Sequence, residues 1–158
     1  MSGATLNDTS IASITVEIDA PQSLVWDVLV DYAAYPQWNP YTVRVDTELV
    51  VGADVILHLP DPNKPGETFT THEYMRVIDA PRHLQYDTGE SIPGIFAVRD
   101  QWVEDLGDGR SSYRTTDVFS GEHAQVAFDL QGAWVQAGFD SVAQAIKGRA
   151  EQLHAARS

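Results

Sequence analysis

Residues Val25–Tyr41 read VWDVLVDYAAYPQWNPY, an apolar helical face that runs into a turn crowded with aromatic rings. Leu24, Val25, Val28 and Leu29 recur at helical spacing, with Asp27 and Asp31 on the opposite side. Asp19 and Pro21 mark a helix start, because a proline in the first turn removes an N–H that has no partner there anyway. Pro36 and Pro40 stop helix propagation. Around them Tyr32, Tyr35, Trp38 and Tyr41 crowd into ten residues that the prolines are expected to keep non-helical, either plugging one end of a core or rimming the mouth of a pocket.

Outward from this segment the pattern is mostly of strands. Ala12–Asp19 alternates and places Ile14, Val16 and Ile18 on one face. After the aromatic turn come strand candidates at Thr42–Val50 and Ala53–Pro60, then a loop at Asp61–Gly66 punctuated by two prolines and a glycine. Thr68–Asp79 and Arg82–Thr88 flank a tight turn at Ala80-Pro81. Ile95–Leu106 and Arg110–Gly121 flank Gly107-Asp108-Gly109, which suits a three-residue hairpin loop. Val135, Phe139, Val142, Ile146, Ala150 and Leu153 then recur at intervals of three and four, the signature of a long C-terminal helix with one apolar face.

The expected architecture is therefore α+β: a strongly bent antiparallel sheet of about seven strands around a long C-terminal helix, with two short helices after the first strand. The chain of 158 residues suits one domain spanning 1–158, with residues 1–10 frayed at the start.

Composition excludes several classes of function. A net charge of −13 argues against nucleic acid and anionic membrane partners, which are bound through Lys and Arg. The absence of cysteine removes disulfides, thiolate metal sites and a cysteine nucleophile. The N-terminal residues carry neither a basic region nor an apolar signal segment, so a cytoplasmic location is expected. No GxSxG elbow or phosphate-binding glycine loop is present.

Several short motifs, in order, carry a resemblance. They are Ile18-Asp19-Ala20-Pro21, Val25-Trp26 through Tyr35-Pro36-Gln37-Trp38-Asn39-Pro40, Ala80-Pro81-Arg82-His83-Leu84, Gly107-Asp108-Gly109, Phe119-Ser120-Gly121 and Ala145–Glu151. Their order and spacing resemble the helix-grip fold of the START and birch-pollen-allergen (SRPBCC) superfamily, in particular its polyketide cyclase/dehydrase-type branch. That resemblance implies a small hydrophobic, ring-containing ligand held in an internal cavity, with a cofactor-independent cyclase or dehydratase as the enzymatic version. It leaves two other roles open: a non-catalytic carrier or sensor of lipids, quinones or metabolites, and a protein-interaction module. An exposed apolar patch at Tyr35, Trp38 and Tyr41 would favour the last of these.

Strand alternation locates the candidate chemistry. A three-residue loop at Gly107–Gly109 sets Leu106 against Arg110, Val103 against Tyr113 and Arg99 against Asp117. The Ala80-Pro81 turn sets Val77 against Leu84, Met75 against Tyr86 and Glu73 against Thr88. The concave face then carries Glu73, Arg99 and Asp117 among apolar neighbours, and an Arg99–Asp117 pair is expected because buried charges need partners. Arg99, Asp117, Tyr113 and Glu73 are the candidate catalytic groups, together with His123 at the entry to the last helix as a general base. Trp38, Leu57, Met75, Tyr86, Gln101 and Phe119 are expected to touch the ligand. Trp134, Gly138, Phe139 and Val142 join them from the long helix, where Gly138 leaves room for a neighbour or a ligand. His58, His72, His83, Gln85 and Asp87 fall on the outward face as solvent-facing groups, and no metal site is expected. The sequence leaves the oligomeric state open.

Overall fold

A computed structural model describes residues 3–157. The chain runs β1 (Ser10–Ala12), β2 (Val16–Ile18), α1 (Gln22–Val30), a 3₁₀ turn (Tyr32–Ala34), α2 (Tyr35–Trp38), β3 (Arg44–Thr47), β4 (Asp54–Pro60), β5 (Thr68–Asp79), β6 (His83–Asp87), β7 (Phe96–Gly107), β8 (Arg110–Ser120) and α3 (Ala124–Ala156). The strands form one antiparallel sheet in the order β1-β8-β7-β6-β5-β4-β3, with β2 also paired to β8. Helix α3 lies against it, burying Val135, Phe139, Val142, Ala143, Ile146 and Ala150. This is the helix-grip arrangement.

The sheet has eight strands, one more than expected, because the first strand breaks at Ser13. The Ser13 hydroxyl accepts from the Thr115 amide at 3.0 Å, taking the place of a ladder carbonyl, and itself donates to the Ile14 carbonyl. Ile14 is thereby turned outward and 42 % exposed, whereas Val16 and Ile18 keep the inner face. The segment expected to be frayed has its first two residues outside the described ones. From Ala4 onward it is hydrogen-bonded, the Ala4 amide to Asp100 and the Asn7 side chain to the Phe119 carbonyl.

The aromatic turn departs from the non-helical expectation. Pro36 occupies the first turn of α2, where its missing N–H leaves no hydrogen bond broken. The Tyr35 hydroxyl donates to the Leu29 carbonyl, one of the unpaired groups at the end of α1. Asn39 Oδ1 accepts from the amides of Tyr41 and Thr42, fixing the exit into β3. Tyr35 and Tyr41 are buried, so the exposed patch that would mark a protein-interaction module is not there.

Two bulges shift the predicted registers. In β5 the pairing slips between Met75 and Val77, so Leu84 faces Ile78 rather than Val77, and Ile78 packs toward the core. Before the bulge Met75 pairs with Tyr86 as expected. At the β7–β8 hairpin Gly107, not Leu106, opposes Arg110, with Asp108 and Gly109 both at positive φ in the turn. The extra residue at Leu106 restores phase, so Val103–Tyr113 and Arg99–Asp117 stand as expected.

The outward histidines need one correction. His58 and His72 pair with Asp46 and Asp54 near the surface. His83 is fully buried although it lies on the convex side of the sheet. Its ring stacks on Trp102 at 3.7 Å, its Nε2 lies 2.5 Å from Asp100 Oδ1, and the Gly3–Ala4 segment lies over Asp100 and Trp102. Asp87 is likewise buried, accepting from Arg76, and Gln85 is half-buried, donating to Asp100. Alternation assigns faces, and it cannot foresee that a chain terminus will cover the outer one.

Candidate active site

Between the concave sheet face and α3 lies a cavity of about 140 Å³. Its walls come from β4 (Leu57, Leu59), β5 (Phe69, Thr71, Glu73), β7 and β8 (Ala97, Arg99, Asp117, Phe119), the loop at Ile92 and Ile95, and α3 (Gln131, Trp134, Phe139). Phe69 and Trp134 approach to 6.0 Å between ring centroids, and Phe69 is partly exposed, so this pair borders the entrance.

One end is closed by Tyr41. Its ring lies so close to the Gly138 backbone that a Cβ there would overlap it, and it packs on Trp134 at 5.2 Å and Phe139 at 6.0 Å. The glycine in α3, disfavoured in a helix interior by roughly 1 kcal/mol, thus makes room for a neighbouring ring rather than for a ligand.

Strand geometry delivers three ionisable groups to one wall. Glu73 on β5, Arg99 on β7 and Asp117 on β8 all point inward, and Arg99 and Asp117 are direct cross-strand partners. The expected ion pair does not form. Arg99 Nε donates to Thr115 Oγ1 at 3.1 Å and its Nη1 to the Tyr86 hydroxyl at 3.2 Å, while its plane lies 4.3 Å from the Phe139 ring centroid. The partners that hold the guanidinium are therefore neutral groups. Asp117 Oδ1 is fully buried with no hydrogen-bond partner. Glu73 accepts one bond, from the Thr71 hydroxyl at 3.2 Å.

The electrostatic result follows from burial. Desolvation raises the Glu73 carboxyl to about 7, opposed by Arg99 and by the Thr71 hydrogen bond. Asp117 is pushed well above the carboxylate range by burial and then by the nearby Glu73, with Arg99 opposing. The wall thus holds one permanent cation and two carboxyls that burial pushes toward their neutral form, Glu73 being near its midpoint at neutral pH.

The remaining candidates separate into groups. Leu57, Phe119, Trp134 and Phe139 line the cavity. Tyr86, Gln101 and Val142 border a narrow gap beneath Arg99, and Tyr113 is fully buried, donating to Gln101 Oε1 at 2.6 Å. These form the layer that supports Arg99. Met75 is buried in the core, and Trp38 borders a separate crevice between α1 and the end of α3. His123 precedes α3 as an exposed residue and does not reach the cavity. Sequence reasoning did not count Thr71 and Ala97 among the ligand contacts, whereas Tyr41, read as a core plug or pocket rim, does close one end of the cavity. Thr71 and Ala97 were within reach, lying two residues from Glu73 and Arg99 on the same strand faces. Ile92 and Ile95 sit in a loop with no periodicity to reveal them. Among the described residues, no three His, Asp or Glu side chains are grouped to hold a metal, and no helix is long and apolar enough to cross a membrane.

Residues 11–153 match the family described as polyketide cyclase / dehydrase and lipid transport. No curated protein matches the chain in sequence. Among solved structures, the fold is similar to an aromatase/cyclase from Streptomyces sp. R1128, at 23 % identity and a TM-score of 0.74, covering 90 % of this chain and 93 % of that one. It is also similar to a START superfamily protein from Mycobacterium smegmatis, at 17 % identity and a TM-score of 0.66, covering 91 % and 98 %. A norcoclaurine synthase from Thalictrum flavum, 13 % identical, aligns with a TM-score of 0.66 over 91 % of this chain and 94 % of its own. At these identities the similarity speaks for the fold alone.

Proposed function

Since the chain belongs to the polyketide cyclase / dehydrase and lipid transport family, we propose that its cavity takes a small hydrophobic, ring-containing molecule and promotes a cofactor-independent cyclisation or dehydration. The observation that carries this reading is the buried, unpartnered Asp117 oxygen beside Arg99 and Glu73 in an otherwise largely apolar cavity. A group left unsatisfied inside a fold costs stability, and ligand chemistry gives a reason to keep it.

The roles follow from the protonation states. Arg99, always charged, donates to a ligand carbonyl and holds the oxyanion that develops when the neighbouring carbon loses a proton. Glu73, near its midpoint at neutral pH, takes that proton. Asp117, protonated, gives its own proton to a departing hydroxyl, which leaves as water, or to the alkoxide formed when a carbon–carbon bond closes a ring. The apolar walls orient the reacting carbons and exclude solvent. The whole domain serves this one site, and a cytoplasmic setting fits the reading.

The test is turnover of a ring-closing or dehydrating β-hydroxy carbonyl substrate by wild type and by the Arg99→Met/Asp117→Leu double variant. Loss of turnover with an intact fold supports the reading; unchanged turnover refutes the assignment. The predominantly apolar lining also suits simple retention, and a carrier role would be indicated by a ligand that co-purifies and is never converted.

A further inference from the structure

Resting on the ligand-binding reading above, we infer that the cavity takes a single-ring weak acid, a phenol or an enolisable ring ketone, and binds it as its oxyanion against Arg99, with Glu73 accepting the proton.

Size limits the ligand first. A cavity of about 140 Å³ is close to one known to admit benzene. One ring with a short polar substituent fills it, and Leu57, Phe69, Phe119 and Trp134 supply apolar surface for that ring.

Charge limits it next. The Arg99 guanidinium is 5 % exposed and is held by the Thr115 and Tyr86 hydroxyls and the Phe139 face, none of which offsets its charge. A buried cation without a counter-charge is unfavourable, and a ligand oxyanion at the cavity wall removes that deficit through charge-assisted hydrogen bonds. Asp117, on the adjacent position of β8, provides a second donor to the same oxygen when protonated.

The proton inventory selects a weak acid over a permanent anion. A permanent anion would meet the Glu73 carboxylate across the same cavity and be repelled. A neutral acid brings its own proton. In a phenol the O–H bond breaks and its electron pair stays on oxygen. In a ring ketone the α C–H bond breaks, its pair becomes the ring C=C bond and the carbonyl π pair moves to oxygen. In both the proton passes to the Glu73 carboxylate. The net charge of the site is then unchanged on binding. The titratable and charged groups facing Glu73 are Arg99 from β7, Asp117 from β8, Asp87 and the Tyr86 phenol from β6, and the Tyr41 phenol before β3. Arg99 is the sole cation among them.

The probe is 4-nitrophenol, whose phenolate absorbs visible light and whose phenol does not, with nitrobenzene as the ring that cannot ionise. Titrating wild-type protein near neutral pH, where Glu73 is partly ionised and can accept the proton, is expected to raise the phenolate-to-phenol ratio of bound probe by about tenfold, one unit of apparent pKa. Arg99→Met is expected to abolish that rise while still binding nitrobenzene. Bound 4-nitrophenol that stays protonated on the wild type, the direction an apolar cavity alone imposes, overturns the inference and leaves the cavity reading standing. Equal ionisation on Arg99→Met overturns the role given to Arg99. Failure of both probes to bind overturns the inference and the cavity reading together.

Discussion

Asp117 stands directly across β7–β8 from Arg99, yet the guanidinium turns to the Thr115 and Tyr86 hydroxyls and leaves the carboxyl without a hydrogen bond at Oδ1. Cross-strand neighbours of opposite formal charge ordinarily pair. Their separation leaves a cation and a carboxyl unpaired on the cavity wall, and it makes the two residues separable by mutation.

Asp117→Leu should stabilise the protein by about 1–3 kcal/mol, because it removes a buried polar group that lacks a partner. The same change should lower turnover. Urea denaturation alongside an activity assay checks both; a destabilised variant would mean that Asp117 has a structural partner.

Glu73 predicts a pH signature with a definite sign. Its folded pKa of about 7 lies above the ordinary 4.5, so between these values the native state binds more protons than the unfolded chain. Its contribution is greatest below pH 4.5, is lost as pH rises toward 7, and is then a constant penalty on the order of 3 kcal/mol. Denaturant midpoints of wild type and Glu73→Gln across this window should diverge with rising pH, the variant becoming the more stable. Parallel curves would contradict the burial argument.

Gly138→Ala should destabilise the fold even though alanine favours helix by about 1 kcal/mol. Its Cβ runs into the Tyr41 ring, and overpacking of this kind costs about 1–3 kcal/mol. Combining it with Tyr41→Leu should recover part of the loss in a thermal melt. Additive effects of the two changes would show that the contact is not the cause.

His83→Ala should cost about 2 kcal/mol, since it leaves the buried Asp100 carboxyl without its imidazole partner and Trp102 without its stacked ring. The cluster lies on the convex face, so binding to the cavity should be unaffected. Hydrogen exchange should show the Ala4 amide losing protection, because its acceptor is Asp100.

Local pattern carried most of the fold. The apolar periodicity of α1 and α3 and the bounds Thr68–Asp79 of β5 were legible directly, and alternation brought Glu73, Arg99 and Asp117 to one wall. The bulges near Arg76 and Leu106 were not legible, because a single extra residue leaves no mark in composition; the one in β5 changes which side chains face inward beyond it, whereas the one at Leu106 leaves the cross-strand pairs deeper in the sheet in phase. The inner side chain past Met75 is therefore Ile78. The partners of Arg99 were equally hidden. Charge rules named Asp117, whereas the rotamer is set by hydroxyls whose reach depends on sheet curvature. His83 failed for a third reason, a long-range cover by Gly3 and Ala4, which lie over its partners Asp100 and Trp102.

The Tyr41–Gly138 contact has a consequence for how this molecule can change its tastes. Gly138 has no side chain to give way, so at that end of the chamber only the Tyr41 ring itself can be exchanged. The β4–β5 wall, where Leu57, Leu59 and Phe69 project from neighbouring strands, is made of exchangeable side chains. Enlargement or narrowing to suit another guest has its freedom there, and a library confined to those three positions would retune selectivity while keeping the charged wall intact.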